Sequence, residues 1–498
     1  NAHYDLGIVF KLLHRYEDAI ASMSRASELA PESLVFRVEL CNLRRMLCDW
    51  EGLAEKERHC LDLIPVTKSS VAPFMVLPME SSRSEQLVAA RRFAQGIAAP
   101  EEQRFLSHLT SPGRRIRVGY LSADFFAHAT AFLLAEVIEK TDRNRFELFA
   151  YCYSPDDGSE MRRRIVSAFD HFVDIRDMTN RDAAEAIHRD GIDILVDLKG
   201  YTRHARTKIL SYRPAPIQVN YLGYPGTMGG DYIDYILADP IVAPMEHQDD
   251  YSERIVHLPH CYQPNDRQRK ISDKPVTRAE FGLPDDAFVF CSFNNAYKIS
   301  PSRFDVWMRL LKSAPDAVLW ILVKESVSRE NLKREAAARG VDPARLVFAN
   351  PLPLAEHLAR HRLADLFLDT LQYNAHTTAS DALWAGLPVL TCMGETFSGR
   401  VAASLLTAMN LPELITTSLE DYERLALAFA QDRRRLAPIR QKIAIERETS
   451  PLFDSTRYAR NLEQAYETMV DIMRRGEAPR PFAVVEDKPE VPSHAGAP

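Results

Sequence analysis

The segment that follows Asp369 holds several polar side chains at spacings suited to binding an anion. It reads D-T-L-Q-Y-N-A-H-T-T-A-S-D-A-L-W-A-G, and we predict a strand that ends near Asp369 and a helix that begins near His376. Thr377 and Thr378 then lie at the start of the helix, where free backbone N–H groups and the helix dipole favour a phosphate. Asp381, about one turn further along the helix, could accept hydrogen bonds from ribose hydroxyls. A threonine that only caps the helix fits the same spacing equally well.

Two more side chains with possible chemical roles stand directly after predicted strands. Lys298, in S-F-N-N-A-Y-K-I-S-P, precedes Pro301, which suits the first position of a helix. A lysine there could neutralise a departing diphosphate, although a solvated surface lysine is the more common outcome. His128, in S-A-D-F-F-A-H-A-T-A-F, could act as a general base or orient an acceptor hydroxyl. A histidine that caps a helix is an equally good interpretation.

Metal and hydrolase chemistry find little support in the sequence. Among the 15 histidines, His357 and His361 are four residues apart on a predicted helix, but no acidic partner stands at ligand spacing. We therefore favour a solvated helix face over a metal site. No D-x-D occurs in a strand-end loop, and neither a G-x-G-x-x-G nor a G-x-S-x-G motif is present.

Two units of alternating strands and helices must position these residues. From residue 114 onward, short apolar runs alternate with amphipathic helical stretches, which predicts parallel sheets covered by helices on both faces. We predict strands at 116–122, 146–153, 192–198, 217–222, 235–238 and 255–258, and then at 288–293, 317–323, 346–348, 366–368 and 389–391. The two units are expected to form two lobes that face each other across a cleft.

In open sheets of this kind, ligands bind beyond the carboxyl ends of the strands. The candidate loops are therefore residues 124–130, 199–203, 223–227, 294–298, 370–378 and 394–400. They add Tyr201, Gly223, Pro225 and Asn295 to the candidate substrate-binding residues.

Residues 1–95 are predicted to be all-helical, because apolar residues recur there with helical spacing. Some of them match one tetratricopeptide repeat, namely Leu6, Gly7, Phe10, Ala19, Met23, Ala26 and Pro31. The small residues Gly7, Ala19 and Ala26 would let the two helices of the repeat approach closely. Because a lone repeat cannot bury its face, we expect neighbouring repeats before Asn1.

Composition limits the class of protein. A length of 498 residues suggests roughly three domains, and 46% apolar with 26% charged residues is typical of a globular chain. The net charge of −7 argues against a dedicated nucleic-acid binder, and no apolar run approaches the ~20 residues that span a bilayer. Seven scattered cysteines without a C-x-x-C pair and the lack of a signal peptide favour the cytoplasm.

The chain divides into five predicted segments. These are helical repeats at 1–95, a first lobe at 114–261, a linker at 262–284, a second lobe with closing helices at 285–475, and a disordered tail at 476–498. The linker is polar, and the tail combines several prolines with alanine and glycine, a composition typical of disorder.

Seven segments together resemble the O-linked N-acetylglucosamine (O-GlcNAc) transferase family. They are R-I-R-V-G-Y-L-S-A-D-F, S-P-D-D-G, R-P-A-P-I-Q, L-G-Y-P-G-T, N-A-Y-K, A-H-T-T and G-E-T-F-S-G-R-V-A-A-S, within residues 114–475. The resemblance implies an α/β fold of the GT-B type, with two Rossmann-like lobes after the tetratricopeptide repeats. It also implies an inverting transfer of N-acetylglucosamine from UDP-N-acetylglucosamine (UDP-GlcNAc) to serine or threonine hydroxyls of proteins, without a metal or another cofactor.

The resemblance further implies roles for single residues. The diphosphate is expected to be held by Lys298, His376, Thr377 and Thr378. Asp381 is expected to bind ribose, and His357 to stack on uracil. His128 is expected near the acceptor, where either this histidine or a donor phosphate oxygen takes the proton.

Some features depart from the family pattern and leave other functions open. Asn295 stands where many members have glutamine, Leu354 stands where animal members have lysine, and the short linker is similar to that of the bacterial branch. The alternatives are a GDP-fucose-dependent protein O-fucosyltransferase, a UDP-glucose-dependent N-glucosyltransferase and a repeat scaffold without activity. The intact His128, Lys298 and A-H-T-T favour an enzyme whose partners are a nucleotide sugar and protein or peptide acceptors held by the repeats, with neither nucleic acid nor membrane as a partner.

Overall fold

The computed structural model describes residues 2–67, 69–106 and 113–486. It begins with the helices α1 (Ala2–Leu12), α2 (Tyr16–Leu29), α3 (Leu34–Met46), α4 (Leu53–Leu63) and α5 (Arg83–Ile97). Gly7 lies so close to α2 that an added Cβ would stand 2.6 Å from Met23 Cγ, and Ala19 is fully buried. The predicted helical hairpin is confirmed, and its small residues set the distance between the two helices.

Two parallel sheets follow, each with helices between its strands. The first lobe contains β1 (Ile116–Ser122), α6 (Ala129–Lys140), β2 (Phe146–Cys152), α7 (Glu160–Ala168), β3 (His171–Asp174), α8 (Asn180–Arg189), β4 (Ile194–Asp197), α9 (Lys208–Ser211), β5 (Ile217–Asn220), β6 (Tyr235–Ala238) and β7 (Arg254–His257). The second lobe contains β8 (Phe288–Ser292), α10 (Pro301–Ser313), β9 (Ala317–Leu322), α11 (Ser326–Ala338), β10 (Leu346–Ala349), α12 (Leu354–Arg360), β11 (Leu366–Leu368), α13 (Thr377–Trp384), β12 (Val389–Cys392), α14 (Val401–Ala408), β13 (Ile415–Thr416), α15 (Leu419–Gln431) and α16 (Leu436–Thr449). The chain ends with α17 (Ser455–Arg474) and β14 (Phe482–Ala483).

The strand order is β14-β7-β6-β5-β4-β1-β2-β3 in the first sheet and β10-β9-β8-β11-β12-β13 in the second. Every residue of β4, β5 and β8 is buried, because helices cover both faces of each sheet. This explains why β4 and β8 read as apolar runs that end in a single polar residue, whereas β5 (I-Q-V-N) alternates although its polar residues are buried as well.

The described part of the tail differs from the expected disorder. β14 pairs with β7, where Phe482 lies opposite Val256, and Val484 beyond it is buried. The predicted disordered tail is therefore wrong as far as residue 486, and the rest of it lies outside the described residues. The edge strands β3 and β13 are also absent from the sequence prediction.

The long helix α17 returns to the first lobe, although the sequence groups it with the second. The hydroxyls of Tyr120 and Tyr466 are 3.0 Å apart, and those of Tyr221 and Tyr458 are 2.6 Å apart. All four side chains are buried. The helix thus covers the sheet of the first lobe.

The two places where the chain crosses between the lobes lie side by side. Asn265, in the predicted linker, donates to Leu452 O at 3.4 Å and accepts from the Ser455 hydroxyl at 3.1 Å. Glu136 of α6 accepts from the backbone N–H of Arg267 and from the Ser455 hydroxyl, both at 2.8 Å. One carboxylate of the first lobe therefore binds both crossings.

The linker is anchored to the second lobe by a buried ion pair between Arg269 and Asp381. We expect Arg269→Met to lower the free energy of unfolding by about 3–5 kcal/mol at neutral pH, since it leaves a buried carboxylate without a partner. Burial raises the pKa of Asp381 and Arg269 lowers it. Loss of Arg269 raises that pKa further, so the destabilisation should shrink as the pH falls and Asp381 becomes protonated.

Chemical denaturation at pH 7.5 and pH 5.5 measures this effect. Arg267→Met is the matched control, because its side chain forms an exposed ion pair with Glu448, and such pairs contribute about 0–1 kcal/mol. An equal loss of unfolding free energy in the two variants would contradict the role of the buried Arg269–Asp381 pair as an anchor.

Candidate active site

The loop between β11 and α13 is held in place by the carboxylate of Asp369. This fully buried side chain accepts hydrogen bonds from the backbone N–H of Thr370 at 2.7 Å, from that of Ala375 at 2.6 Å and from the Thr391 hydroxyl at 2.6 Å. Burial raises the pKa of Asp369 to about 6, while these donors favour the ionised form. The loop therefore turns at a fixed place and brings His376 to the start of α13.

The N-terminus of α13 has no side-chain cap. The helix begins at Thr377, the N-cap residue His376 makes no capping bond, and Thr378 donates its hydroxyl to Asn294 Oδ1 at 2.8 Å. The interpretation of the threonines as caps only is therefore wrong. Burial lowers the pKa of His376 well below its usual range, so that the ring is neutral, and its Nε2 lies 3.2 Å from Ser398 O. An uncapped N-terminus with nearby donors is suited to an anion.

Lys298 follows β8 and reaches the loop before α13. Its Nζ donates to Asn374 O at 2.8 Å and lies 4.1 Å from the centre of the Tyr373 ring. Burial lowers the pKa of Lys298 to about 7, and the charge of Asp369 opposes this shift. The alternative of a solvated surface lysine is wrong, since the amine lies against the loop that leads to α13. An amine with this pKa gains its full charge when an anion approaches.

The expected solvated face at His357 and His361 is wrong. His361 is fully buried, and its ring centre lies 5.1 Å from that of Phe293. Burial lowers the pKa of His357 to about 2 and that of His361 to about 4. Arg360 is also fully buried, and its guanidinium donates to His357 Nδ1 and to Asn350 O, both at 2.6 Å. Sequence reasoning missed Arg360, because its neighbours on the helix, Glu356 and His357, are polar and no motif marks it.

In the first lobe, three polar side chains meet after β1 and β4. Lys199 Nζ lies 2.7 Å from Asp124 Oδ2, and His128 Nδ1 lies 3.6 Å from the same oxygen. Asp124 and Lys199 are buried, whereas 41% of the His128 side chain is exposed. His128 also caps α6, because its Nδ1 accepts from the backbone N–H of Thr130 at 3.3 Å. The capping interpretation of His128 is thus confirmed, and its Nε2 makes no hydrogen bond within the described residues.

The other first-lobe candidates support the loops of the cleft. The Tyr201 hydroxyl donates to Met228 O at 2.6 Å. An added Cβ on Gly223 would stand 1.9 Å from Leu198 O, so that only glycine fits there. Pro225, two residues further along the chain, is buried. Contact of these three residues with a substrate stays a prediction.

The carboxyl ends of the two sheets meet at one cleft. Tyr373 of the second lobe belongs to the same buried apolar cluster as Tyr201 and Tyr224 of the first lobe. Phe74, from the segment that joins α4 to α5, packs against Tyr373 with ring centres 6.0 Å apart. Asn295 is exposed at the end of β8, beside the buried Asn294. The loops that carry the candidate residues therefore converge where the helical segment and both lobes meet.

The described residues hold no group of three or more histidine, cysteine or acidic side chains placed to share a metal ion. Within the same ranges, no helix has the length and apolar character that crossing a membrane requires.

Comparison with known proteins agrees with this geometry. The profile of glycosyl transferase family 41 matches residues 95–274 and 266–462. The Arabidopsis thaliana protein named "Probable UDP-N-acetylglucosamine–peptide N-acetylglucosaminyltransferase SEC" is 36% identical over 465 aligned residues, which cover 90% of this chain and 47% of that protein. The UDP-N-acetylglucosamine–peptide N-acetylglucosaminyltransferase of Caenorhabditis elegans is 30% identical, and the alignment covers 76% of this chain and 42% of that protein. The chain thus spans about half the length of these relatives.

A solved structure extends the comparison from the sequence to the fold. A mutant of the Thermobaculum terrenum O-GlcNAc transferase matches with a TM-score of 0.82 and 28% identity, over 95% of this chain and 91% of that one. This match confirms the predicted GT-B fold, with two Rossmann-like lobes after a helical segment. On its sequence and on its structure, the chain belongs to glycosyl transferase family 41.

Proposed function

We propose that this chain is an inverting, metal-independent glycosyltransferase that moves N-acetylglucosamine from UDP-GlcNAc to serine or threonine hydroxyls of proteins. The observation that carries the proposal is the position of Lys298, an amine with a pKa of about 7, beside the loop that leads to the uncapped N-terminus of α13. Membership of family 41 and the activities named for the Arabidopsis and Caenorhabditis relatives support it.

In the proposed reaction, the second lobe holds the donor. The backbone N–H groups at Thr377 and Thr378 and the imidazole of His376 face the phosphates. Lys298 stabilises the negative charge that develops on UDP as the bond from sugar C1 to the phosphate oxygen breaks. Because the acceptor oxygen attacks C1 from the opposite face, the configuration at C1 inverts.

The nucleoside lies beyond the diphosphate in this arrangement. We assign uracil to His357, whose neutral ring is held by Arg360. We assign ribose to Asp381, whose Oδ1 binds Arg269 and whose second oxygen can accept from a hydroxyl. We assign a contact with the donor to Asn295, which is exposed at the same edge of the sheet.

The first lobe receives the acceptor. His128 presents an unbonded Nε2 there, and Tyr201, Gly223 and Pro225 shape the loops around it. The helical segment adjoins the cleft through Phe74. We therefore propose that the repeats hold protein or peptide acceptors next to His128.

Binding of UDP-GlcNAc is expected to take up a proton above pH 7. Lys298 is largely neutral at pH 8, since its pKa is about 7, and the diphosphate, which is esterified at both ends and does not titrate in this range, favours its charged form. Uptake should approach about one proton per UDP-GlcNAc at pH 8 and be close to none at pH 6, so the affinity falls as the pH rises through 7. Calorimetric titration in two buffers of different ionisation enthalpy measures the proton uptake. Lys298→Ala should abolish the difference between buffers, and equal uptake at both pH values would contradict the assignment.

The donor is tested by calorimetric titration with UDP-GlcNAc, GDP-fucose and UDP-glucose. We expect the tightest binding for UDP-GlcNAc. A preference for GDP-fucose or UDP-glucose would replace the proposal by the corresponding transferase, and no binding of any of the three would favour a repeat scaffold. Mass spectrometry of host proteins after co-expression then tests for N-acetylhexosamine on serine or threonine.

The proposed location is the cytoplasm. All seven cysteines are free and buried within the described residues. Thiols in this state agree with a reducing compartment, where nucleotide sugars and protein hydroxyls are both accessible.

A further inference from the structure

Two neighbouring groups compete for a hydrogen bond with His128 Nδ1, and the one that binds it sets the tautomer of the neutral ring. Asp124 approaches this nitrogen on one side, and the backbone N–H of Thr130 approaches it on the other. A neutral imidazole carries one proton, so one ring nitrogen donates and the other accepts. Whichever neighbour Nδ1 binds therefore decides what Nε2 can do in the cleft.

Two arrangements are chemically possible. If Nδ1 donated its proton to Asp124, Nε2 would keep a free lone pair and could take a proton from a hydroxyl, as the histidine of a serine protease does. If Nδ1 accepts the N–H of Thr130, the ring proton is on Nε2, and Nε2 can only donate.

The distances favour the second arrangement. His128 Nδ1 lies 3.3 Å from the backbone nitrogen of Thr130, within hydrogen-bond reach, and 3.6 Å from Asp124 Oδ2, which is beyond it. The Asp124 oxygen is already bound by Lys199 Nζ at 2.7 Å and lies 3.5 Å from the Thr130 hydroxyl. Lys199 thus occupies the Asp124 oxygen that would otherwise accept a hydrogen bond from His128.

The surrounding charges agree with a neutral ring. Burial lowers the pKa of His128, Lys199 lowers it further and Asp124 opposes both. From the neighbouring loops, Asp157 accepts the backbone N–H of Ala127 at 3.1 Å, and Arg162 donates to Phe125 O at 2.8 Å. Both of these charged groups are bound to backbone atoms instead of to the imidazole.

We propose that Lys199 is a positioning residue that holds His128 in the form protonated at Nε2. One consequence rests on the proposed function: during the transfer, His128 donates a hydrogen bond to a substrate oxygen and does not remove the acceptor proton. The general-base role is thereby assigned away from His128.

The test reads the ring nitrogens directly and needs no substrate. In protein labelled with ¹⁵N-histidine at pH 8, the His128 signals are identified by their loss in His128→Gln. We expect the chemical shift of a protonated nitrogen for Nε2 and that of an unprotonated nitrogen for Nδ1. A proton on Nδ1 would overturn the proposal, whether or not the chain transfers sugar.

Lys199→Met is the variant that tests the cause. It frees Asp124 to accept from Nδ1, so the proton should move from Nε2 to Nδ1 and the pKa of His128 should rise, since an uncompensated carboxylate stabilises imidazolium. Lys208→Met, at an exposed lysine of α9, should change neither. An unchanged tautomer in folded Lys199→Met would overturn the role of Lys199.

A double variant covers the case in which Lys199→Met fails to fold. Lys199→Met with Asp124→Leu removes both charges, so no carboxylate remains to compete for Nδ1. We expect Nε2 to stay protonated, as in the unchanged protein. A proton on Nδ1 in the double variant would show that the cap from Thr130 does not control the ring, and would overturn the proposal.

Discussion

Lys298→Ala should lower the turnover of sugar transfer by about 10²–10³-fold, the usual effect of losing one group that stabilises developing negative charge. The fold should remain, because within the described residues the Lys298 side chain makes one hydrogen bond, to Asn374 O, and lies over one ring, that of Tyr373. The measurement is kcat with UDP-GlcNAc and a peptide acceptor, together with circular dichroism and the thermal unfolding midpoint.

Two further variants make the result specific to the charge. Lys298→Met keeps an unbranched side chain without the charged Nζ that lies over Tyr373, and it should lose the same activity. Lys312→Ala, at an exposed position of α10, should retain full turnover. Near-normal transfer by Lys298→Ala would refute the assignment of this residue to the leaving diphosphate.

His128→Ala should lower transfer by about 10²-fold and leave the affinity for UDP unchanged. The reason is that His128 lies in the first lobe, whereas the groups assigned to UDP lie in the second. Transfer kinetics and calorimetric titration with UDP separate the two effects. His171→Ala, at the outer edge strand β3, is the control. A large loss of UDP affinity in His128→Ala would place this histidine against the donor instead.

The central strands β4 and β8 could be predicted from the sequence because burial on both faces leaves a continuous apolar run. The predicted bounds of β1, β6 and β11 agree with the structure residue by residue. The three strands that prediction missed lie at the edges of the sheets. β3 has an exposed histidine and an exposed aspartate at its ends, and β14 has two residues in a proline-containing tail. A short edge strand depends on its neighbour more than on its own residues.

The same distinction between local pattern and distant contact decides which residues of the candidate site could be predicted. The A-H-T-T segment was predictable, because the residue types and their position before a helix together suit an anion. The contact of Lys298 with the loop before α13 was not, since its partner Asn374 is 76 positions away in the chain. The same holds for Lys199, which meets Asp124 across 75 positions and belongs to no motif that marks it as functional. Arg360 was overlooked because a buried arginine has no local signal that separates it from an exposed one.

The paired crossings at Asn265 and Ser455 have a mechanical consequence. Because Glu136 binds both connections, its loss would leave the backbone N–H of Arg267 and the Ser455 hydroxyl without this acceptor at the same time. The relative position of the two lobes would then depend on their remaining contacts, such as the 2.6 Å hydrogen bond from the Ser404 hydroxyl to Asp239 Oδ2.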